Sequence, residues 1–280
     1  MAVFERATQQ SFSPNGKDEY FYWVAGDEKN EPMLFIAGFT GTHSELLEMT
    51  VPFRDRYFVV VPDLPGWGRS AALHNRMTLS AYAKHLYMML KSRNIKKLQV
   101  VGHCMGGVVA IEFAHLFSEM VDHLFLVSVP YEEGRMPHHI LLELLHLSKK
   151  VPFRYRFLFY LWRNRYTSFL LSLFIIRHRT FRRVWNMDLY YFGTRQHEHE
   201  RNVEENWESL MEFNYRKMKR LAMPVHLIYG NEDMLIPHHQ VDKLRALHPQ
   251  ATLDYIPHSG HVPPIESPDG LASSILRHLT

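Results

Sequence analysis

The chain has 280 residues, a formal net charge of +3 and 46% hydrophobic residues, enough for one large α/β domain with an insertion, or two small domains, around a sizeable core. A balance of +3 is too small to point to nucleic acid. The single cysteine, Cys104, excludes an internal disulfide and a cysteine-rich metal site, which fits a reducing compartment. The opening residues MAVFERATQQ carry no apolar leader core, and the longest largely apolar run, 169–176, is shorter than the ~20 residues that cross a bilayer. A cytoplasmic chain is expected, one that could associate with a membrane only at its surface.

In chain order, short apolar runs rich in β-branched and aromatic residues predict strands at YFYWVAG (20–26), MLFIAGF (33–39) and YFVVVPD (57–63). LSAYAKHLYMMLKSRNI (79–95) has helical periodicity. LQVVGH (98–103) predicts a strand, MGGVVAIEFAHLF (105–117) a helix and HLFLVSVP (123–130) another strand. The middle runs are continuously apolar, as in strands buried on both faces of a parallel sheet. Strands alternating with helices predict an α/β fold with right-handed crossovers.

The pattern breaks between 131 and 215. This stretch reads as helices, is rich in Arg, Phe, Tyr, Trp and Leu, and holds no Asp or Glu from 144 to 187. Strands resume at VHLIYG (225–230) and ATLDYIP (251–257). The expected organisation is an α/β core formed by 1–130 and 216–280, with a helical cap inserted at 131–215.

Cys104 sits where a predicted strand meets a predicted helix, with Gly102 and Gly106 two residues to either side. A sharp strand-to-helix turn lifts one side chain above the sheet edge, and small neighbours relieve the crowding. The following helix aims free N–H groups and its positive dipole end at that side chain, which favours a thiolate or an oxyanion there. A buried structural cysteine would satisfy the same local pattern, so its partners decide the matter. A nucleophile needs a base, and the base an orienting acid. NEDMLIP follows the strand at 225–230 and places Glu232 and Asp233 past its end. HSGHVPPIESP follows the strand at 251–257 and places His258 and His261 past its end. The C-terminal ends of parallel strands are where such sheets build sites. The chain has 19 histidines, and the pairs His138-His139 and His238-His239 and the run HEHE (197–200) match no recognised ligand spacing. No metal and no cofactor are expected.

Four segments together resemble the α/β-hydrolase fold superfamily, in its capped esterase and lipase-like branch. They are VPDLPGWGRS (61–70), GHCMGG (102–107), YGNEDMLIP (229–237) and HSGHVPPIESP (258–268), and the likeness covers nearly the whole core. The resemblance implies a mostly parallel central sheet flanked by helices. It implies Cys104 as nucleophile in place of the family's serine, His261 as general base and Asp233 as its orienting acid. The oxyanion hole would be the backbone N–H groups of Phe39 and Met105. Asp63, Arg69 and Ser70 would tie loops near the site, and Glu266 would support the histidine loop. One further departure is Ala37-Gly38, where the family often has His-Gly.

A cysteine at this turn would form a thioester acyl-enzyme. The acyl group could then pass to water, or to an alcohol or thiol acceptor in an acyltransferase. A catalytically silent binding protein on the same frame is the reading from another class. The cap would wall the pocket, with His103, Phe157, Leu161 and Phe169 expected to line it around the apolar acyl group of an ester or thioester substrate. Arginines interleaved with aromatics and free of acids suit an anionic membrane surface or an acidic acyl carrier. No nucleic-acid motif accompanies them.

Overall fold

The computed structural model describes residues 7–39, 41–131 and 200–279. Eight strands form one sheet: β1 (Thr8–Phe12), β2 (Tyr20–Ala25), β3 (Glu31–Ile36), β4 (Tyr57–Pro62), β5 (Leu98–His103), β6 (Val121–Val127), β7 (Val225–Gly230) and β8 (Thr252–Ile256). Their spatial order is β1-β2-β4-β3-β5-β6-β7-β8. The pairings of β4, β3, β5, β6, β7 and β8 are parallel, while β1 and β2 run antiparallel at one edge. This is the mostly parallel sheet that the alternation predicted.

Continuous apolarity tracks burial on both faces. Every residue of β4, β5 and β7 is buried, whereas β8 at the far edge is mostly half-buried. One face packs on the helices α2 (Leu79–Ser92) and α3 (Met105–Leu116). The other packs on α1 (His43–Leu46) and on the C-terminal helix Pro268–Arg277 through Leu46, Leu271 and Ile275. The result is three layers, α/β/α.

The helices follow from local sequence. In α2, Leu79, Tyr82, Ala83, Leu86, Met89 and Leu90 recur at helical spacing and are the buried face. The Thr78 hydroxyl caps it by accepting the Ala81 N–H at 3.1 Å. It stops at Ser92, short of the expected 95, because Asn94 turns left-handed at φ 57°. Helix α3 is buried at every position from Met105 to Ala114, which explains its lack of a polar face.

Two differences from the sequence reading matter. Strand β1, TQQSF, carries no apolar pattern and was not expected. It is an edge strand held by backbone pairing to β2. The run 33–39 leaves the sheet after Ile36, so Ala37, Gly38 and Phe39 are free to build a loop.

Strand order places the site. From β3 the chain moves outward to β4, then returns to lay β5 on the other side of β3. Loops leaving β3 and β5 therefore diverge and open a crevice beyond their C-terminal ends.

Of the expected cap, Tyr131 and 200–215 lie among the described residues. Helix α4 (Glu200–Met211) docks on the loop after β4. Asn202 Nδ2 donates to the Gly66 carbonyl at 2.6 Å, and Ser209 Oγ accepts the Leu79 N–H at 2.9 Å. Phe157, Leu161 and Phe169 lie outside the described residues. Among the described residues no helix is long and apolar enough to cross a membrane.

Candidate active site

Cys104 follows β5 and precedes α3 with φ 49° and ψ −119°. A side chain rarely adopts such a conformation, which costs of order 1–3 kcal/mol and persists only where the surroundings impose it. They do so here. The Cys104 N–H donates to the Val127 carbonyl at 2.8 Å, and its carbonyl accepts from Gly107 at 3.0 Å. A Cβ at Gly106 would collide with the carbonyls of Ile36 and Ala37, and one at Gly102 with the backbone of Gly106 and Gly107. Glycine at both positions lets β3, β5 and α3 close around the turn. The residue is left half-buried at the sheet edge.

His261 and Asp233 reach the same place from loops after β8 and β7. The Asp233 carboxylate is fixed first. Its Oδ1 accepts the N–H groups of Leu235 at 2.8 Å and Ile236 at 3.0 Å. Its Oδ2 accepts from His261 Nδ1 at 3.0 Å. With Nδ1 so engaged, Nε2 is the ring nitrogen left to face Cys104, and the charges of the two residues act on each other. Glu266 braces this loop from behind: its two oxygens accept the N–H groups of Gly260 at 2.9 Å and Val262 at 3.0 Å. Glu232 lies outward, with His258 Nδ1 at 3.8 Å.

The electrostatics agree with this order. Burial opposes every charge here, and the partners overcome it. The charge of Asp233, then that of Cys104, and hydrogen bonds to both hold His261 protonated well above the ordinary histidine range. The charge and hydrogen bond of His261, the charge of His103 and the Phe39 amide draw the Cys104 thiol below its usual range. Asp233 is likewise drawn below the usual carboxylate range by His261 and by the amides of Ile236 and Leu235.

Phe39 lies in the loop after β3, and its backbone amide is among the groups that lower the Cys104 thiol. Met105 opens α3, in the first turn where N–H groups have no partner within a helix. The Phe39 ring lies between two tryptophans, 5.8 Å from Trp67 and 6.1 Å from Trp207. Trp207 comes from α4, so the region expected as cap contributes an aromatic beside the loop after β3.

His103, expected to line the pocket, is buried, and both its ring nitrogens are engaged. Nε2 donates to the His261 carbonyl at 2.9 Å, and Nδ1 pairs with Glu45. Sequence reasoning missed Glu45. The available signal was the buried histidine of G-H-C itself, which invites the question of what balances it.

The VPDLPGWGRS segment is structural cross-bracing. Asp63 Oδ1 accepts from the backbone N–H and ring Nδ1 of His43, both at 2.8 Å, and Oδ2 from the Arg69 N–H at 3.0 Å. Ser70 Oγ donates to the Asp63 carbonyl at 2.8 Å and accepts the Phe21 N–H at 2.9 Å. The His43 ring stacks on Trp23 at 3.3 Å between centroids. These contacts pin the start of α1, the helix that carries Glu45. Among the described residues no group of three or more His, Cys, Asp or Glu side chains could hold a metal ion.

The strand order, the turn at Cys104 and the two loops define an α/β-hydrolase frame, and the profile of the alpha/beta hydrolase fold matches residues 31–268. The chain belongs to that family. Lipase 1 of Psychrobacter immobilis is 22% identical over 265 residues, covering 92% of this chain and 79% of that one. An uncharacterised protein of Mycobacterium tuberculosis is 36% identical over 88 residues, and this chain spans only 24% of its length. Among solved structures, a membrane phospholipase A, described as a bacterial virulence factor, superposes with a TM-score of 0.80 at 21% identity. That match covers 99% of this chain and 88% of that one. A thermophilic esterase from Thermogutta terrifontis gives 0.76 at 21% identity, covering 98% of both chains. At these identities the structural likeness speaks for the fold.

Proposed function

We propose that the protein hydrolyses a carboxylic ester or thioester with an apolar acyl group through a Cys104 acyl-enzyme. One observation carries the reading: the loops after β7 and β8 bring the hydrogen-bonded Asp233–His261 pair to Cys104 in the crevice where β3 and β5 diverge, and the charge of His261 there favours the Cys104 thiolate. The lipase and esterase names among its relatives support the reaction class. The half-buried Phe39 and Trp207 rings support an apolar substrate group.

The chemistry follows from the geometry. Cys104 rests as a thiolate paired with protonated His261. Its sulfur attacks the carbonyl carbon, and the carbonyl π electrons move onto oxygen. The resulting oxyanion is stabilised by the N–H groups of Phe39 and Met105, donors fixed in place before the charge develops. Collapse re-forms the carbonyl and breaks the bond to the leaving alkoxide or thiolate, which takes the proton from His261 Nε2. The acyl group is now a thioester on Cys104. Neutral His261 then removes a proton from water, whose oxygen attacks the thioester. The second collapse expels the thiolate and releases the carboxylic acid. Asp233 keeps Nδ1 protonated and the ring oriented throughout.

Docking of the acid-free stretch 144–187 on an anionic membrane or an acidic acyl carrier is part of the same proposal and concerns residues outside those described. Turnover of p-nitrophenyl esters from acetate to palmitate tests the central reading. Wild type is expected to turn over and to favour the longer chains, and Cys104→Ala to fall to background. Equal activity in Cys104→Ala would refute it.

A further inference from the structure

Behind the proposed nucleophile lies a second buried acid and base that the reaction as written does not use. Glu45 comes from α1, and His103, the residue before Cys104, is the last of β5. Their side chains are 10% and 4% exposed. His103 Nε2 faces a carbonyl, that of His261, so this nitrogen carries a hydrogen. His103 Nδ1 faces the Glu45 carboxylate and is a donor there too. A ring that donates from both nitrogens is an imidazolium.

The carboxylate sits inside the oxyanion turn. The Gly38 N–H lies 3.5 Å from Glu45 Oε1, and the turn closes through the Gly41 N–H on the Gly38 carbonyl at 3.0 Å. A Cβ at Gly41 would occupy the place of Glu45 Oε2, and a Cβ at Gly38 would lie 3.1 Å from His103 Nδ1. Ala37 offers this loop no polar side chain, and the Glu45 carboxylate reaches the Gly38 N–H from α1 instead.

We propose that Glu45 and His103 are a positioning pair for Cys104: Glu45 holds His103 as a cation behind the nucleophile, and His103 ties the oxyanion turn to the histidine loop. The inference rests on the reading of Cys104 as nucleophile. Three segments that are distant in sequence meet in this pair: the turn after β3, the end of β5 and the loop after β8. Its positive member is the residue adjacent to the sulfur. The groups facing the pair are Cys104 and the His261 ring, 5.5 Å from His103 between centroids. The groups facing Cys104 are His261, His103 and, from β7, Tyr229. Asp233 acts on Cys104 through His261. The charge of Glu45 and its hydrogen bond outweigh burial and raise His103 above the ordinary histidine range, and the His103 charge in turn favours the thiolate.

The test is the pH profile of Cys104 alkylation by iodoacetamide, read in the full chain, where this is the only thiol. Glu45→Gln, His103→Gln, the double variant and His261→Gln are compared with wild type. Glutamine at 103 keeps a donor for the His261 carbonyl and loses the charge. Glutamine at 45 removes the carboxylate at equal size, so it carries the test if His103→Gln does not fold. The alkylation midpoint is expected to move to higher pH in both single variants, and no further in the double variant than in His103→Gln. The kcat for p-nitrophenyl butyrate is expected to fall roughly 10- to 100-fold in both, as when a reacting group is slightly misplaced, with KM little changed. Unmoved midpoints in Glu45→Gln and His103→Gln, with a raised midpoint in His261→Gln, would overturn the pair's role and leave the nucleophile reading standing. An unmoved midpoint in His261→Gln would bring down both.

Discussion

The protein buries two kinds of histidine. At the C-terminal edge of the sheet, His103 and His261 each face a carboxylate, and both are held protonated above the ordinary range. At His226 and His85, burial wins. His226 stacks on His123 at 5.2 Å and on Phe125 at 4.6 Å between centroids. Its Nε2 meets His123 Nδ1 at 3.0 Å and its Nδ1 meets Thr252 Oγ1 at 2.8 Å. Burial and the nearby His278 push it down to about 4. His85 packs on Tyr20 and Phe12 at 4.1 and 5.6 Å between centroids, and burial alone pushes it down to about 4. The same side chain is a cation in one place and a neutral ring in the other. Desolvation is paid in both, and a carboxylate in hydrogen-bond contact reverses its outcome.

The contrast is broken most severely by Asp233→Asn, which leaves shape nearly unchanged but removes the charge behind His261. The site histidine then becomes like those of the sheet. The expected loss in kcat is about 10⁴-fold, as for the corresponding change in other triads, with little change in thermal stability. Ester hydrolysis and a melting curve check both halves. A smaller effect is expected for Glu266→Gln. A carboxylate accepts two N–H groups here, and an amide can accept only one of them. Leaving one buried donor unsatisfied costs about 1–3 kcal/mol, so Tm falls, and activity falls with the mobility of the histidine loop. Chemical denaturation of the variant reads this directly.

The mildest change sharpens the other side of the comparison. His85 is neutral in the folded protein down to about 4, while an unfolded histidine takes up its proton near ~6.5. Between those values the unfolded state binds more protons, so stability falls as pH drops through that window. His85→Leu removes this dependence. The variant is expected to match wild type at pH 7 and to gain on it steadily toward pH 4.5. Parallel melting temperatures across that range would contradict the assignment.

Much of this frame is legible in the sequence because burial on both faces writes continuous apolar runs, and all seven expected strands are present. The polar edge strand β1 is not legible, since only backbone pairing to β2 defines it. At the site, Gly102, Gly106 and Cys104 could be read because a tight turn restricts residue type locally. Asp233 and His261 could be placed because each follows a strand whose C-terminal end is predictable. Glu45 and Trp207 could not. Glu45 lies on a four-residue helix with no periodic signal, and its relation to His103 exists only once β3 and β5 are side by side. Trp207 is one aromatic among many in a stretch whose packing direction no pattern reveals. His103 was expected to line the pocket, next to Cys104. A strand alternates its faces, and here that turns its ring toward Glu45 and the His261 carbonyl.

The central claim is that Cys104 carries the acyl group. Mixing the protein with a p-nitrophenyl ester, quenching in acid and measuring intact mass, followed by peptide mapping, tests it most directly. The account predicts a mass increase of one acyl group, located on Cys104 and absent from Cys104→Ala. Ester turnover that persists in Cys104→Ala, or an acyl group mapped to any other residue, would contradict it.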